Sequence, residues 1–232
     1  MRSDGPPRPA WDLSGPIREG GWSYADLPAL SRMARFRRET QTEVEADGFE
    51  TERLVLDTHT GTYLETSAHL VGGGRRLDSL PAAALFFRAW LLRLPPRAPR
   101  GWVSAKELER FAPAFAPGDA LLIDTGWGAR WDDPGFVADA PAYLPECAAW
   151  LRGRAPGLLG VDVPCIDSPR PGEPRTSILA DLFARDGVLL APARLDRIPA
   201  GAPPGPFELA ALPLAVQGAC AAPCRAVLRG AG

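Results

Sequence analysis

Between residues 50 and 61 the chain reads ETERLVLDTHTG, and its polar and apolar positions alternate. A period of two predicts a strand, with Gly61 marking where the backbone turns or something approaches it closely. The stretch VGGGRRLDSLPAAA that follows is loop-like, and FFRAWLLRLP, short and closed by proline, favours a strand over a helix. In VSAKELERF, Ser104 followed by Glu107 forms a capping box, so a short helix starts there. From Gly118 onward the period alternates: DALLIDTGW as a strand, YLPECAAWLRGR as a helix, GLLGVDVP as a strand, TSILADLFARDG as a helix ending at Gly187, and VLLAP as a strand. That order predicts parallel pairing through right-handed crossovers. FELAALPLAV and CRAVLRG read as two closing strands. The expected fold class is α/β, a single domain with a mixed β-sheet core flanked by helices, and strand ends near Thr125 and Val163 are where such sheets place chemistry.

Length and composition narrow the setting. A chain of 232 residues buries a sizeable core as one domain. The boundaries expected are a flexible arm over residues 1–10, rich in Pro and Arg, and a domain over 11–232. No apolar run approaches the roughly 20 residues of a membrane span, and the N-terminus lacks the apolar centre of an export signal. With a net charge of −2 and arginines scattered along the chain, neither a nucleic-acid nor a membrane partner is indicated. A cytoplasmic protein is expected, its four cysteines reading as apolar fillers rather than disulfides. Lys106 is the single lysine among 26 Lys and Arg, a bias that reads as GC-rich coding.

The candidate chemistry lies in THTGTYLETSAHL, which holds both histidines of the chain. In an extended run, His59, Tyr63, Glu65 and His69, all odd-numbered, project to one side. The plainer alternative is a core pair, Tyr63 with His69, beside a surface pair, His59 with Glu65.

This stretch resembles the signature of the metal-dependent cyclase family that includes bacterial kynurenine formamidase, His-x-Gly-Thr-His-x-Asp-x-Pro-x-His. His59, Gly61, Thr62 and His69 match it. Tyr63 stands at the second histidine, Glu65 at the aspartate and Ser67 at the proline. WDLSGPI, LLIDTGWGARW, GVDVPCID and ALPLAVQGACAAPCRAV resemble further family segments in the same order. The resemblance implies a cyclase-like swivelling β/β/α domain and a homodimer or homotetramer.

It also implies a metal held by the first two histidines and the aspartate, with a distal histidine and glutamate. Laid on that pattern, Ala180 takes the distal histidine's place, and Ala191 or Pro192 the glutamate's. His59, Glu65 and His69 could still supply three ligands, the number a catalytic zinc site uses, but the losses predict no metal and no cofactor. What remains is an imidazole, a carboxylate and a phenol suited to proton transfer. Relatives of the family act as polyketide ring cyclases, so the expected function is metal-independent cyclisation or dehydration of a polyketide-type intermediate. In that reading His69 is the acid or base, Glu65 its partner, and Tyr63 and His59 donate to a substrate carbonyl. Thr62, Trp127 and Trp22 are expected to contact the small-molecule substrate, with Phe87 and Trp102 as further wall candidates. The alternatives are a metal-dependent amide or lactone hydrolase, and a non-catalytic relative that binds a ligand or stabilises a partner.

Overall fold

The computed structural model of the protein describes residues 8–230. Of the expected N-terminal arm, residues 1–7 lie outside the described residues, while Ala10 already belongs to a strand. In chain order the elements are strands β1 (Ala10–Asp12) and β2 (Arg37–Thr42), helix α1 (Val44–Asp47), and strands β3 (Thr51–Val55) and β4 (Tyr63–Glu65). Strands β5 (Phe86–Arg93) and β6 (Trp102–Val103) precede α2 (Ala105–Phe111). Then come β7 (Ala120–Asp124), β8 (Ala142–Tyr143), α3 (Glu146–Arg154), β9 (Leu158–Val161), α4 (Ile178–Phe183), β10 (Val188–Ala191), β11 (Phe207–Pro213) and β12 (Ala221–Gly230).

Seven strands form a closed ring in the order β12-β11-β5-β7-β9-β10-β4, and β4 returns to β12. The long β12 makes closure possible, because Ala221–Pro223 pair with β4 while Val227–Arg229 pair with β1. Neighbours β5, β7, β9 and β10 run parallel, as the alternation of strands and helices predicts. The mixed sheet is thus a barrel rather than an open layer.

Period-two alternation sorts its side chains. Leu64, Leu91, Leu122, Leu158, Leu190, Leu209 and Ala222, one from each strand of the ring, share the interior cluster. The intervening Leu92, Leu121, Ile123, Leu159, Val161 and Leu189 face outward into a second cluster with Leu108, Leu151 and Leu182 of the helices. Tyr63 belongs to this outer cluster, so odd positions of β4 point out of the barrel, toward the helical layer.

The expected capping box at α2 is present, with the Ser104 side chain accepting from the Glu107 amide and the Glu107 carboxylate from the Ser104 amide. Two features depart from expectation. ETERLV does form a strand, but among the described residues β3 pairs only with β2, in a separate two-stranded ribbon. Residues 59–69 are not one extended run: a turn carries His59, only Tyr63–Glu65 are strand, and Ser67–His69 form a 3-10 turn. No helix among the described residues is long and apolar enough to cross a membrane.

Candidate active site

Strand β4 is short but held on both edges, with Glu65 opposite Leu189 of β10 and Ala221 of β12. Just before it, Gly61 has φ +66, and a Cβ there would sit 2.5 Å from Ile17 Cγ1. Only glycine combines that backbone with that contact. Thr62 then locks the turn, its hydroxyl donating to Pro192 O at 2.6 Å and accepting from the Gly15 amide at 3.0 Å. Both capacities of this buried hydroxyl are taken, so Thr62 frames the site and leaves no free proton for a substrate.

Two turns, one on each side of β4, fold the flanking histidines back over the strand. His59 Nε2 lies 3.8 Å from Glu65 Oε1, and His69 Nε2 lies 3.2 Å from the same oxygen. Donor atoms of the three residues all fall within 4.8 Å of one another. Four residues expected on one face are therefore neighbours, with His59 packed against both Tyr63 and His69 at ring centroid distances of 4.8 and 4.9 Å. A core pair separate from a surface pair is excluded.

The polar bookkeeping of this cluster does not close with protein atoms alone. His59 Nε2 and Glu65 Oε1 are buried and neither makes a hydrogen bond among the described residues. Burial lowers the pKa of His69 against the opposing attraction of Glu65, and His59 lowers it further, so His69 favours its neutral form and its ion pair with Glu65 is weak. Buried polar atoms left without partners cost on the order of 1–3 kcal/mol each, more for a carboxylate. Two imidazole nitrogens and one carboxylate converging at this spacing have the chemistry of a divalent-cation cage with three protein ligands. The residues present thus fit a cation, contrary to the expectation that the altered motif had lost its cage. The distal positions add nothing to it: Ala180 is exposed on α4, and Ala191 faces Tyr63 across the β4–β10 ladder.

Tyr63 plays a different part from the one its place in the motif suggested. Its hydroxyl lies 2.9 Å from that of Tyr24, whose single proton goes to Pro164 O at 2.5 Å. Tyr63 must therefore donate to Tyr24, which leaves its own oxygen as an acceptor only. Tyr63 does not donate to a substrate carbonyl in this arrangement. Burial pushes both phenols well above the ordinary tyrosine pKa, so neither supplies an anionic ligand.

Aromatic residues divide into wall and core. Trp22 is half-buried, meets Tyr24 and Trp131 edge-on, and borders the small recess that reaches His59. Trp127, 1% exposed, is a core residue: its ring stacks on Phe136 and its Nε1 donates to Phe136 O. Phe87 lies elsewhere, in a groove over β5 and β11, and Trp102 sits in the small β6–β8 sheet. A group that sequence reasoning missed is Asp162. Its buried carboxylate accepts from the amides of Thr125, Trp127 and Gly128 and from the Thr125 hydroxyl, tying the end of β9 to the loop after β7. Burial, reinforced by Asp124, raises its pKa to about 7. Its position three residues before Cys165, in GVDVPC at a strand end, was the available signal.

Known proteins resemble the chain along nearly its whole length. Residues 11–168 match the family described as "Putative cyclase". Kynurenine formamidase of Bordetella pertussis is 29% identical over 222 residues, covering 94% of this chain and 97% of that protein. The Salinibacter ruber kynurenine formamidase is 31% identical over 181 residues, 77% of this chain and 79% of that protein. Isatin hydrolase A of Ralstonia solanacearum superposes with a TM-score of 0.81 at 16% identity, covering 96% of this chain and 92% of that one. The signature segment, the closed mixed sheet and the family match agree, and the chain belongs to the cyclase family.

Proposed function

We propose that the protein is a metal-dependent hydrolase that opens an amide or lactam C–N bond. The observation that carries this reading is the convergence of His59, Glu65 and His69, with a buried carboxylate oxygen and a buried imidazole nitrogen that no protein group satisfies. The names of the relatives point the same way, since a formamidase and an isatin hydrolase both act on such bonds. The metal-free polyketide ring closure expected from the motif's losses finds no support among these relatives, and its premise of an empty cage does not match the geometry.

His59, Glu65 and His69 would hold one divalent cation, which supplies acidified water as nucleophile and polarises the scissile carbonyl. The rest of the task falls to this chain's side chains. Neutral His69 is the most exposed of the three, and the recess beside the cluster is lined by His59. Tyr63, 3% exposed and with its proton committed to Tyr24, backs the site from the core rather than touching substrate. Trp22, with Tyr24 behind it, forms the apolar wall of the narrow recess that leads to His59.

The test is elemental analysis of the purified protein together with hydrolysis of an N-formyl arylamine and of an isatin-type lactam. Stoichiometric divalent metal is expected, with C–N cleavage that stops on chelation and returns on metal addition. Hydrolysis at full rate by thoroughly metal-stripped protein would overturn the proposal.

A further inference from the structure

From Pro16 to Thr60 the chain leaves the barrel, and Tyr24 is the single buried residue on that excursion. Residues 20–36 hold two short 3-10 turns, Tyr24–Asp26 and Pro28–Leu30. Their backbone hydrogen bonds close locally: Asp26 to Ser23, Leu27 to Tyr24, Leu30 to Leu27 and Met33 to Leu30. Among the described residues, two groups tie residues 20–36 to the rest of the chain by hydrogen bonds. The Ala34 amide donates to Asp57 Oδ2 at 2.6 Å, and the Tyr24 hydroxyl donates to Pro164 O while accepting from Tyr63. Apolar packing is partial, with half-buried Trp22, Leu27, Leu30 and Met33 leaning on the outer core cluster. A segment with few buried contacts and self-contained hydrogen bonds opens at low free energy. Gly20, with φ +72 and no atom within 4 Å of where a Cβ would sit, gives it a free pivot at one end.

This segment stands between solvent and two of the three donors. Trp22, Tyr24, Met33 and Phe36 face His59 across a recess of about 10 Å³, room for roughly one water molecule. The His59 and Glu65 side chains are 15% and 3% exposed. No substrate carbonyl reaches His59 through that recess while the segment stays in place.

We infer that residues 20–36 are a gate over His59, latched by the Tyr24 hydroxyl held between Tyr63 and Pro164. Tyr63 occupies the position where the family motif has a histidine, and its one proton goes to the latch. At that position the chain holds the cover shut instead of offering an imidazole. Opening admits substrate, and closing keeps bulk water from the donors. The gate concerns access alone, so it stands apart from the hydrolase reading.

Diethyl pyrocarbonate, which acylates neutral imidazole, tests the gate on the metal-free full chain, because His59 and His69 are its only histidines. Peptide mass spectrometry reads the two rates separately. In the parent, His59 should react about tenfold or more slowly than His69, whose side chain is 37% exposed. Tyr24→Phe keeps the ring and removes both latch bonds, and should speed His59 on the order of tenfold with the His69 rate unchanged. Tyr63→Phe removes one of the two bonds and should speed His59 by about fivefold or less, which decides the matter should Tyr24→Phe fold poorly. In both variants hydrogen exchange should quicken over residues 20–36 and stay as in the parent over β5 and β7. Reaction of His59 as fast as His69 in the parent, or a His59 rate indifferent to both substitutions, would overturn the gate. So would faster exchange spread over the whole barrel, since Tyr24 would then serve the core and latch nothing.

Discussion

Glu65 concentrates the electrostatic cost of the site in one oxygen. Its side chain is 3% exposed, two imidazoles approach the same Oε1, and no hydrogen bond reaches it. A buried charge left in that condition destabilises the protein that carries it. Glu65→Gln should therefore leave the metal-free protein as stable as the parent or more so, while abolishing both bound cation and the stability that added cation confers. Thermal scans with and without a divalent ion check this, and a large drop in the metal-free melting temperature would show that Glu65 serves the fold instead. Tyr63 gives the complementary case. Tyr63→Phe removes one buried hydrogen bond, worth about 1 kcal/mol, and a melting shift of roughly 2–4 °C is expected for a chain of this size. Cation content should not change, because the phenol is held in its neutral form and makes its hydrogen bond to Tyr24.

At the scale of elements, the site depends on turns more than on strands. Gly61 has φ +66 and lies against Ile17, so Gly61→Ala meets both a strained backbone and a clash. A loss of about 2–4 kcal/mol is expected, with weaker cation uptake as His59 is displaced. Gly72→Ala, where a Cβ meets nothing within 4 Å, is the control and should stay within about 0.5 kcal/mol. Equal effects at the two positions would remove Gly61 from the argument. These turns also mark the limit of what the sequence discloses. Local signals were legible: the Ser104–Glu107 box starts α2, and alternation from Gly118 gives the parallel β7, β9 and β10 with α3 and α4 between them. The odd-numbered residues of the motif do meet, but for another reason, since two turns bring His59 and His69 to Glu65 where an extended run would carry them apart. Which proton Tyr63 gives, and to whom, depends on Tyr24 and Pro164, and no spacing in the motif encodes partners so distant. Trp127, expected to contact substrate, is instead buried against Phe136, a placement that tertiary packing settles.

At the scale of the molecule, the three donors and the closure of the barrel share one strand. β4 joins β10 to β12 through three paired residues on each side, extended by hydrogen bonds of Thr62 and Thr66 at its ends. Every candidate ligand lies on β4 or in the turns that flank it, so a cation there ties together both ends of the shortest strand in the ring. Occupancy should therefore be read as stability of the seam. A ligand present at a hundred times its dissociation constant adds about 2.7 kcal/mol, which for a chain of this length corresponds to roughly 5–10 °C in melting temperature. Chelation should remove that increment and readdition restore it. Hydrogen exchange should localise the change: amides of residues 56–70 and of Ala221 and Ala222 lose protection when the cation is withdrawn, while those of β5 and β7, paired on both edges by longer ladders, keep theirs. Uniform loss across the barrel would mean that closure and core form one cooperative unit. Loss confined to residues outside 56–70 would place the cation elsewhere in the molecule.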